Sequence, residues 1–90
     1  MLTSAERKAL KAKAHKLEPA VHIGAKGLTD EVIAEIDGAL RAHELIKVRA
    51  GSMERDARDD AFDSICERTG AEAVQQVGKV FVLFRKKNDE

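Results

Sequence analysis

The feature that most constrains this chain is a G-x-x-G turn at residues 24–27. It lies between a short apolar run at 20–23 and a helix start at 28–31. Two glycines three positions apart let the backbone turn tightly and approach a partner without a Cβ in the way. The helix that follows directs its free N–H groups and the positive end of its dipole towards the turn. Phosphate groups bind well at such a place, so the turn is a candidate anion site.

Helices and strands alternate along the rest of the chain. Apolar periodicity and capping residues predict helices over 3–17, 30–42 and 55–69. Alternating or continuous apolar residues predict strands over 20–23, 43–50, 73–77 and 79–85. The order α-β-α-β-α-β-β predicts an α/β fold, a single domain with a four-stranded mixed sheet. We expect this domain to cover 1–87 and a frayed tail to cover 88–90.

Several residues set the predicted element ends and the sheet order. Thr29 is the expected N-cap of the second helix and Gly70 the C-cap of the third. Gly78 joins the last two strands as a hairpin. The final strand, 80–84, is apolar on both faces, so we expect it to be central in the sheet. In the first helix, Leu10, Ala14 and Leu17 are the expected apolar stripe.

The charge of the chain is neutral in total but uneven in distribution. The 90 residues hold 16 basic and 16 acidic side chains. Residues 1–28 carry six basic and two acidic side chains, whereas residues 29–72 carry six basic and twelve acidic ones. A neutral domain is not the usual nucleic-acid binder. The uneven distribution nevertheless provides a positive surface for an anion.

Composition and spacing exclude several classes of protein. No apolar stretch of roughly 18 residues and no signal-peptide core is present, so we expect no membrane association. A single cysteine, Cys66, excludes an internal disulfide and suits the cytoplasm. Its place on an apolar helix stripe indicates a core residue. The sequence contains no metal-ligand spacing, cofactor loop or nucleophile–base pair, so we expect no enzyme activity, cofactor or small-molecule substrate.

The first helix carries a basic stripe. Its members, spaced at helical periods, are Arg7, Lys8, Lys11 and His15. Only Glu6 interrupts the positive run, whereas an ordinary soluble helix face mixes both signs. On the second strand, Lys47 and Arg49 project from one face. They are either ordinary exposed residues or RNA contacts, and the sequence leaves both open.

The G-x-x-G turn also has two interpretations. It is either a plain strand-to-helix connection or a clamp in which Lys26 pairs with a phosphate and the amides after Gly27 donate hydrogen bonds. KH domains use a G-x-x-G loop in the second way. The chain has no Trp or Tyr, and its three Phe fall at predicted core positions. Binding through backbone and shape therefore remains, which favours structured RNA.

The third helix offers an alternative function. Its acidic face consists of Asp56, Asp59, Asp60 and Asp63. This face keeps the domain soluble and, in the alternative, docks a basic protein partner. We also expect Arg55 to pair with Asp59 at the i,i+4 spacing.

Four segments together resemble the CRM domain, the RNA-binding module of plant organelle splicing factors and bacterial YhbY-type proteins. They are residues 17–29, 43–48, 69–71 and 77–79, followed by a strand ending in Arg85. The resemblance covers almost the whole chain in order. It implies a stand-alone bacterial CRM protein with a fold related to the C-terminal domain of translation initiation factor three.

The resemblance also implies a function. Bacterial members associate with precursors of the large ribosomal subunit, and the G-x-x-G loop with its adjoining basic surface is implicated in RNA binding. One departure is that Ala25 stands where many members have Lys, and Lys26 follows it. We expect a monomer that takes part in ribosome assembly. The predicted RNA-binding residues are Arg7, Lys8, Lys11, His15, Gly24, Ala25, Lys26, Gly27, Thr29, Lys47 and Arg49.

Overall fold

Helices and strands alternate in the computed structural model, which describes residues 2–51 and 53–87. The elements are α1 (Ser4–Ala14), β1 (Pro19–His22), α2 (Asp30–His43), β2 (Leu45–Arg49), α3 (Arg55–Thr69), β3 (Glu72–Val77) and β4 (Val80–Phe84). The predicted order and the α/β class are confirmed. The predicted frayed tail at 88–90 lies outside the described residues.

The four strands form one mixed sheet in the order β1-β2-β4-β3. β1 runs parallel to β2, and β4 runs antiparallel to both β2 and β3. The prediction of a central final strand is confirmed, because Phe81, Val82 and Leu83 of β4 are all buried. A strand covered on both faces needs apolar residues at consecutive positions.

The main core lies between one face of the sheet and the helices α2 and α3. The sheet contributes Val48, Phe81 and Leu83, among others, and the helices contribute Ile36 and Ile65. The rings of Phe62 and Phe81 stack with their centroids 4.6 Å apart. Full burial of such a side chain stabilises the fold by about 1.5–3 kcal/mol.

The other sheet face is covered only in part, by α1. A small buried cluster of Ala14, Val74 and Val82 joins this helix to the sheet. The prediction for Leu17 is wrong: α1 ends at Ala14, so Leu17 follows the helix and is 37% exposed. Phe84, predicted as core, is half-buried at the margin of this cluster.

The helix ends follow from their capping residues. The Thr29 hydroxyl accepts a hydrogen bond from the Val32 N–H at 3.2 Å, as the N-cap prediction requires. Gly70 ends α3 in the left-handed conformation with a φ of 74°. His43 was predicted in a strand but ends α2, and β2 begins two residues later. The chain turns between them at Glu44, whose φ is 60°.

Three connections meet at one end of the sheet, which we call the loop end: residues 23–29, residues 50–51 with 53–54, and residues 78–79. β1 and β2 finish there, and β4 starts there. Gly51 closes the approach between two of these connections. A Cβ on Gly51 would lie 2.8 Å from the Ile23 carbonyl oxygen. Only glycine therefore fits, and the close contact fixes the backbone that leads into the G-x-x-G turn.

Candidate nucleic-acid interface

The G-x-x-G turn is compact and stabilised by its own backbone. The Gly27 N–H donates to the Gly24 carbonyl oxygen at 3.0 Å, and the Thr29 N–H donates to the Gly27 carbonyl oxygen at 3.1 Å. Gly27 has a φ of 76°, a conformation that glycine adopts without strain. Gly24 has no atom within 4 Å of the position of a Cβ, so its outer side is open.

Unpaired donors lie at the tip of this turn. In the part of the chain that the structure describes, the N–H groups of Ala25 and Lys26 have no acceptor. Several amides after Gly27, which the clamp hypothesis treats as donors, are already used. The Thr29 hydroxyl accepts a hydrogen bond from the Val32 N–H, and the Thr29 carbonyl oxygen accepts one from the Ile33 N–H. Exposed amides of a turn that have no protein acceptor are available to an anion, so the tip is the candidate donor.

Carboxylates restrict where an anion can approach. A recess of about 240 Å³ beside the turn is lined by Lys26 and Thr29, but also by Glu31 and Glu35. Two negative charges beside one positive charge oppose an anion inside the recess. The favourable position is therefore at the exposed tip, where Lys26 and the free N–H groups lie.

The basic residues of β2, Lys47 and Arg49, lie on the face of the sheet that α1 partly covers. Lys47 pairs with Val82 of β4, and Arg49 lies opposite His22 of β1. Neighbours in register share a face of the sheet. Arg49 and His22 are exposed, and they form a row next to the turn that follows β1. Lys47 and Arg49, for which two interpretations were open, both lie on this open face.

The basic stripe of α1 borders the same open face. Lys11, His15 and Lys47 line one groove of about 160 Å³, together with β3 and β4 residues. Arg7 lies one turn before Lys11 on the same stripe and is half-buried. Lys8 is exposed on α1 but does not line this groove. The Lys47 ammonium group donates to the Leu17 carbonyl oxygen at 3.0 Å, which orients the lysine beside the groove.

The two sides of the sheet carry opposite charge. α1 contains four basic and one acidic side chain, whereas α2 and α3 together contain nine acidic and four basic ones. Lys47 and Arg49 add two positive charges on the α1 side. The neutral total therefore conceals a positive face and a negative face, and a polyanion is attracted to the former.

Arginine pairing separates structural cations from free ones. Arg85 and Arg41 contact Asp37, and Arg68 contacts Asp30, at 2.6–2.9 Å. The hydrogen bond from Arg85 lowers the pKa of Asp37. Within residues 2–51 and 53–87, four other arginines have no carboxylate partner. They are Arg7, Arg49, Arg55 and Arg58.

The sequence-based interpretation missed part of this region. The predicted pair between Arg55 and Asp59 is wrong, since no ion pair between them forms in the structure. Gly51 and Met53 were not assigned a role, although both pack near the turn. Met53 Cε lies 3.8 Å from the position of a Cβ on Gly27. A glycine directly after a predicted strand was the available signal for Gly51.

Other features do not form a reactive site. Burial raises the pKa of the Cys66 thiol to about 11, with Asp63 adding to the shift, so the thiol stays neutral. No group of metal-ligating side chains occurs in the described residues. None of the helices there is long and apolar enough to cross a membrane. A cavity of about 460 Å³ lies away from the turn between α1 and the start of β2, where Lys13 and Glu18 give it mixed charge.

Known proteins are similar to this chain over most of its length. A probable RNA-binding protein of Pseudomonas aeruginosa is 39% identical over 85 residues, covering 94% of this chain and 82% of its own. An RNA-binding protein of Haemophilus influenzae is 40% identical over 84 residues, covering 93% and 85%. A hypothetical Staphylococcus aureus protein with a suggested RNA-binding role, solved in solution, superposes with a TM-score of 0.86 at 31% identity, covering 99% and 93%.

The family assignment rests on nearly the whole sequence. Residues 2–85 match the CRS1 / YhbY (CRM) domain. This range contains all three helices and all four strands of the sheet. The chain therefore belongs to the CRS1 / YhbY (CRM) domain family.

Proposed function

We propose that this protein binds structured RNA and acts as an accessory factor on precursors of the large ribosomal subunit. Relatives at 39% and 40% identity are named for RNA binding, which supports the first part. The assembly role is the expectation that the family resemblance carries. The binding mode is supported by the N–H groups of Ala25 and Lys26 at the tip of the G-x-x-G turn. Neither has an acceptor in the described residues.

The binding mode is contact with the RNA backbone. A phosphate at the tip accepts hydrogen bonds from the Ala25 and Lys26 amides and pairs with the Lys26 ammonium group. The RNA strand then crosses the row formed by His22 and Arg49. From there it reaches the groove that contains Lys11 and Lys47. His15 and Lys8 extend this positive border. Thr29 acts indirectly, because its hydroxyl caps α2 and holds the turn in place.

Base stacking has no part in this mode. Phe62 and Phe81 stack on each other inside the core. Phe84 is packed at the margin of the α1 cluster. Recognition therefore comes from the shape and charge of the RNA, and affinity should fall steeply with salt.

A second candidate remains, in which α3 docks a basic protein. The four predicted acidic residues of α3 are all exposed. Reversing the charge of Asp60 and Asp63 would then abolish capture of a basic ribosomal-protein peptide. RNA binding unaffected by Lys26 substitution would favour this candidate over the first.

A binding experiment with charge variants tests the proposed mode. Lys26→Glu removes one phosphate contact and adds a repulsive charge, and we expect about a tenfold loss of affinity for a fragment of large-subunit ribosomal RNA. Gly27→Asp should act in the same direction. Lys13→Glu is the matched control, since it makes the same charge change outside the proposed surface. Equal losses for Lys26→Glu and Lys13→Glu would reject the clamp in favour of general charge attraction.

The assembly role needs a test in cells. A lysate is fractionated on a density gradient, and the position of the protein is compared with that of large-subunit precursors. We expect co-migration that RNase treatment abolishes and that Lys26→Glu weakens. Migration as free protein at every salt concentration would contradict the assembly role.

A further inference from the structure

A second recess at the loop end contains two of the unpaired arginines. It has a volume of about 370 Å³ and is lined by Arg55, Arg58 and Asp59 of α3 with Gln76 and Gly78 of the β3–β4 hairpin. Gln76 is in register with Phe81, so it projects from the same sheet face that α3 covers. The recess therefore lies between the start of α3 and the end of the sheet.

Arg58 is the unusual member of this group. Its Nε is buried and has no hydrogen-bond partner in the described part of the chain. A buried donor without an acceptor is unfavourable, and native proteins rarely retain one without a reason. Arg55 also lacks a carboxylate partner, although Asp59 lies one helical turn away. The recess thus presents guanidinium donors without acceptors.

Met53 links the recess to the G-x-x-G turn along the chain. Met53, in the connection that leads into α3, reaches to within 3.8 Å of a Cβ position on Gly27. Arg55 follows Met53 by two residues, a span of about 7 Å at most. A ligand lying on the tip of the turn can therefore extend over Met53 to the arginines.

We propose that Arg55, Arg58 and Gln76 form a second phosphate subsite for the RNA backbone, which rests on the proposed RNA-binding function. Guanidinium groups bind a phosphate with two parallel hydrogen bonds, and the Gln76 amide supplies a further donor. The Arg55 and Arg58 side chains, which have no carboxylate partner in the described residues, gain an anionic one there. RNA bound at the turn then continues along the loop end as well as across the open sheet face.

Substitution of Asp59 distinguishes a phosphate subsite from a surface that binds a basic protein. Its carboxylate lines the recess with the two arginines and reduces the local charge. Neutralising it should strengthen phosphate binding, whereas neutralising either arginine should weaken it. A surface that binds a basic protein would respond in the opposite direction to the same substitutions.

The affinity test uses the same ribosomal RNA fragment and five single variants. Arg55→Gln and Arg58→Gln should each weaken binding about three- to tenfold and reduce the salt slope by about 0.7–0.9. Asp59→Asn should strengthen binding about twofold or more. Arg41→Gln is the control, because that arginine is already paired with Asp37 in the second half of α2, and it should change nothing. Circular dichroism verifies that each variant is folded. Arg58→Lys keeps the positive charge at residue 58 and removes the planar guanidinium group.

A direct readout is the Nε–H resonance of Arg58 in a nitrogen-15 spectrum. It should shift on addition of the RNA fragment, and much less with inorganic phosphate at the same phosphate concentration. A shift with inorganic phosphate alone, with RNA affinity unchanged by Arg58→Gln, would overturn the RNA subsite. If Lys26→Glu weakens binding and the recess variants do not, this subsite is wrong and the proposed function stands. If wild-type protein does not bind the fragment, the proposed function itself fails.

Discussion

Arg85 and Arg58 lie on the same side of the sheet at opposite ends, and their guanidinium groups have different surroundings. Arg85 donates to the Asp37 carboxylate at 2.6 Å and to the carbonyl oxygens of Thr69 and Asp37 at 2.7 and 3.2 Å. Arg58 has a buried Nε without an acceptor. The first group joins the C-terminal ends of α3 and β4 to α2. The second makes no ion pair in the described residues and lines the recess at the loop end.

This difference separates cations that stabilise the fold from cations available for binding. Two of the paired arginines, Arg41 and Arg85, meet at Asp37 of α2, and the third, Arg68, pairs with Asp30 at the start of α2. Unpaired basic groups lie at the loop end and on the open face, among them Lys26, Arg49 and Arg55. Net charge alone, which is zero, does not reveal this division.

The largest expected effect concerns the shape of the loop end. Gly51→Ala places a Cβ 2.8 Å from the Ile23 carbonyl oxygen at a φ of 67°. We expect a loss of about 3 kcal/mol in the free energy of unfolding, measured by urea denaturation. Gly24→Ala is the control, because its Cβ meets no atom within 4 Å, and its effect should stay within about 0.5 kcal/mol. Equal stabilities of the two variants would show that the close approach does not hold the loop end together.

The next effect compares the two arginines directly. Arg85→Met removes three hydrogen bonds and should lower the free energy of unfolding by about 2 kcal/mol. Arg58→Met removes an unsatisfied buried donor, so stability should be unchanged or slightly higher. RNA affinity should change in the opposite way: Arg58→Met should weaken RNA binding more than Arg85→Met does. A destabilised Arg58→Met variant would mean that Arg58 has a structural role like that of Arg85.

The smallest effect is the acid response of the paired region. The hydrogen bond from Arg85 holds the pKa of Asp37 below its unfolded value of about 3.9. Its stabilising contribution is therefore fully present above that value and is lost as pH falls through the folded pKa. At pH 7, Asp37→Asn should be less stable than wild type by about 1 kcal/mol. Denaturation curves from pH 7 to pH 2 should show this difference shrinking only below about pH 4, and a constant difference would contradict the assignment.

Sequence patterns predicted the architecture well because its signals are local. Thr29 and Gly70 mark helix ends through their own backbone preferences, and an apolar run such as 80–84 indicates a central strand. The bounds of α3 were predicted correctly at 55–69. Leu17 was misplaced because α1 ends earlier than its apolar spacing indicates.

The site was less predictable because it depends on contacts between distant segments. The unpaired state of Arg58 depends on packing against the β3–β4 hairpin, which no local pattern encodes. The acidic lining beside Lys26 comes from Glu31 and Glu35 on the next helix, whose direction depends on how α2 docks. The sheet register that places Arg49 beside His22 likewise appears only in the folded chain.

RNA binding at the loop end is tested by a chemical-shift titration of the nitrogen-15-labelled protein with the ribosomal RNA fragment. We expect the amides of Gly24–Gly27, Arg49 and Gly51 to shift or broaden, together with the Arg58 Nε–H signal. Amides on the outer surface of α3, such as those of Asp63 and Glu67, should stay unchanged. Shifts confined to α3, with the turn unaffected, would contradict RNA binding at the loop end.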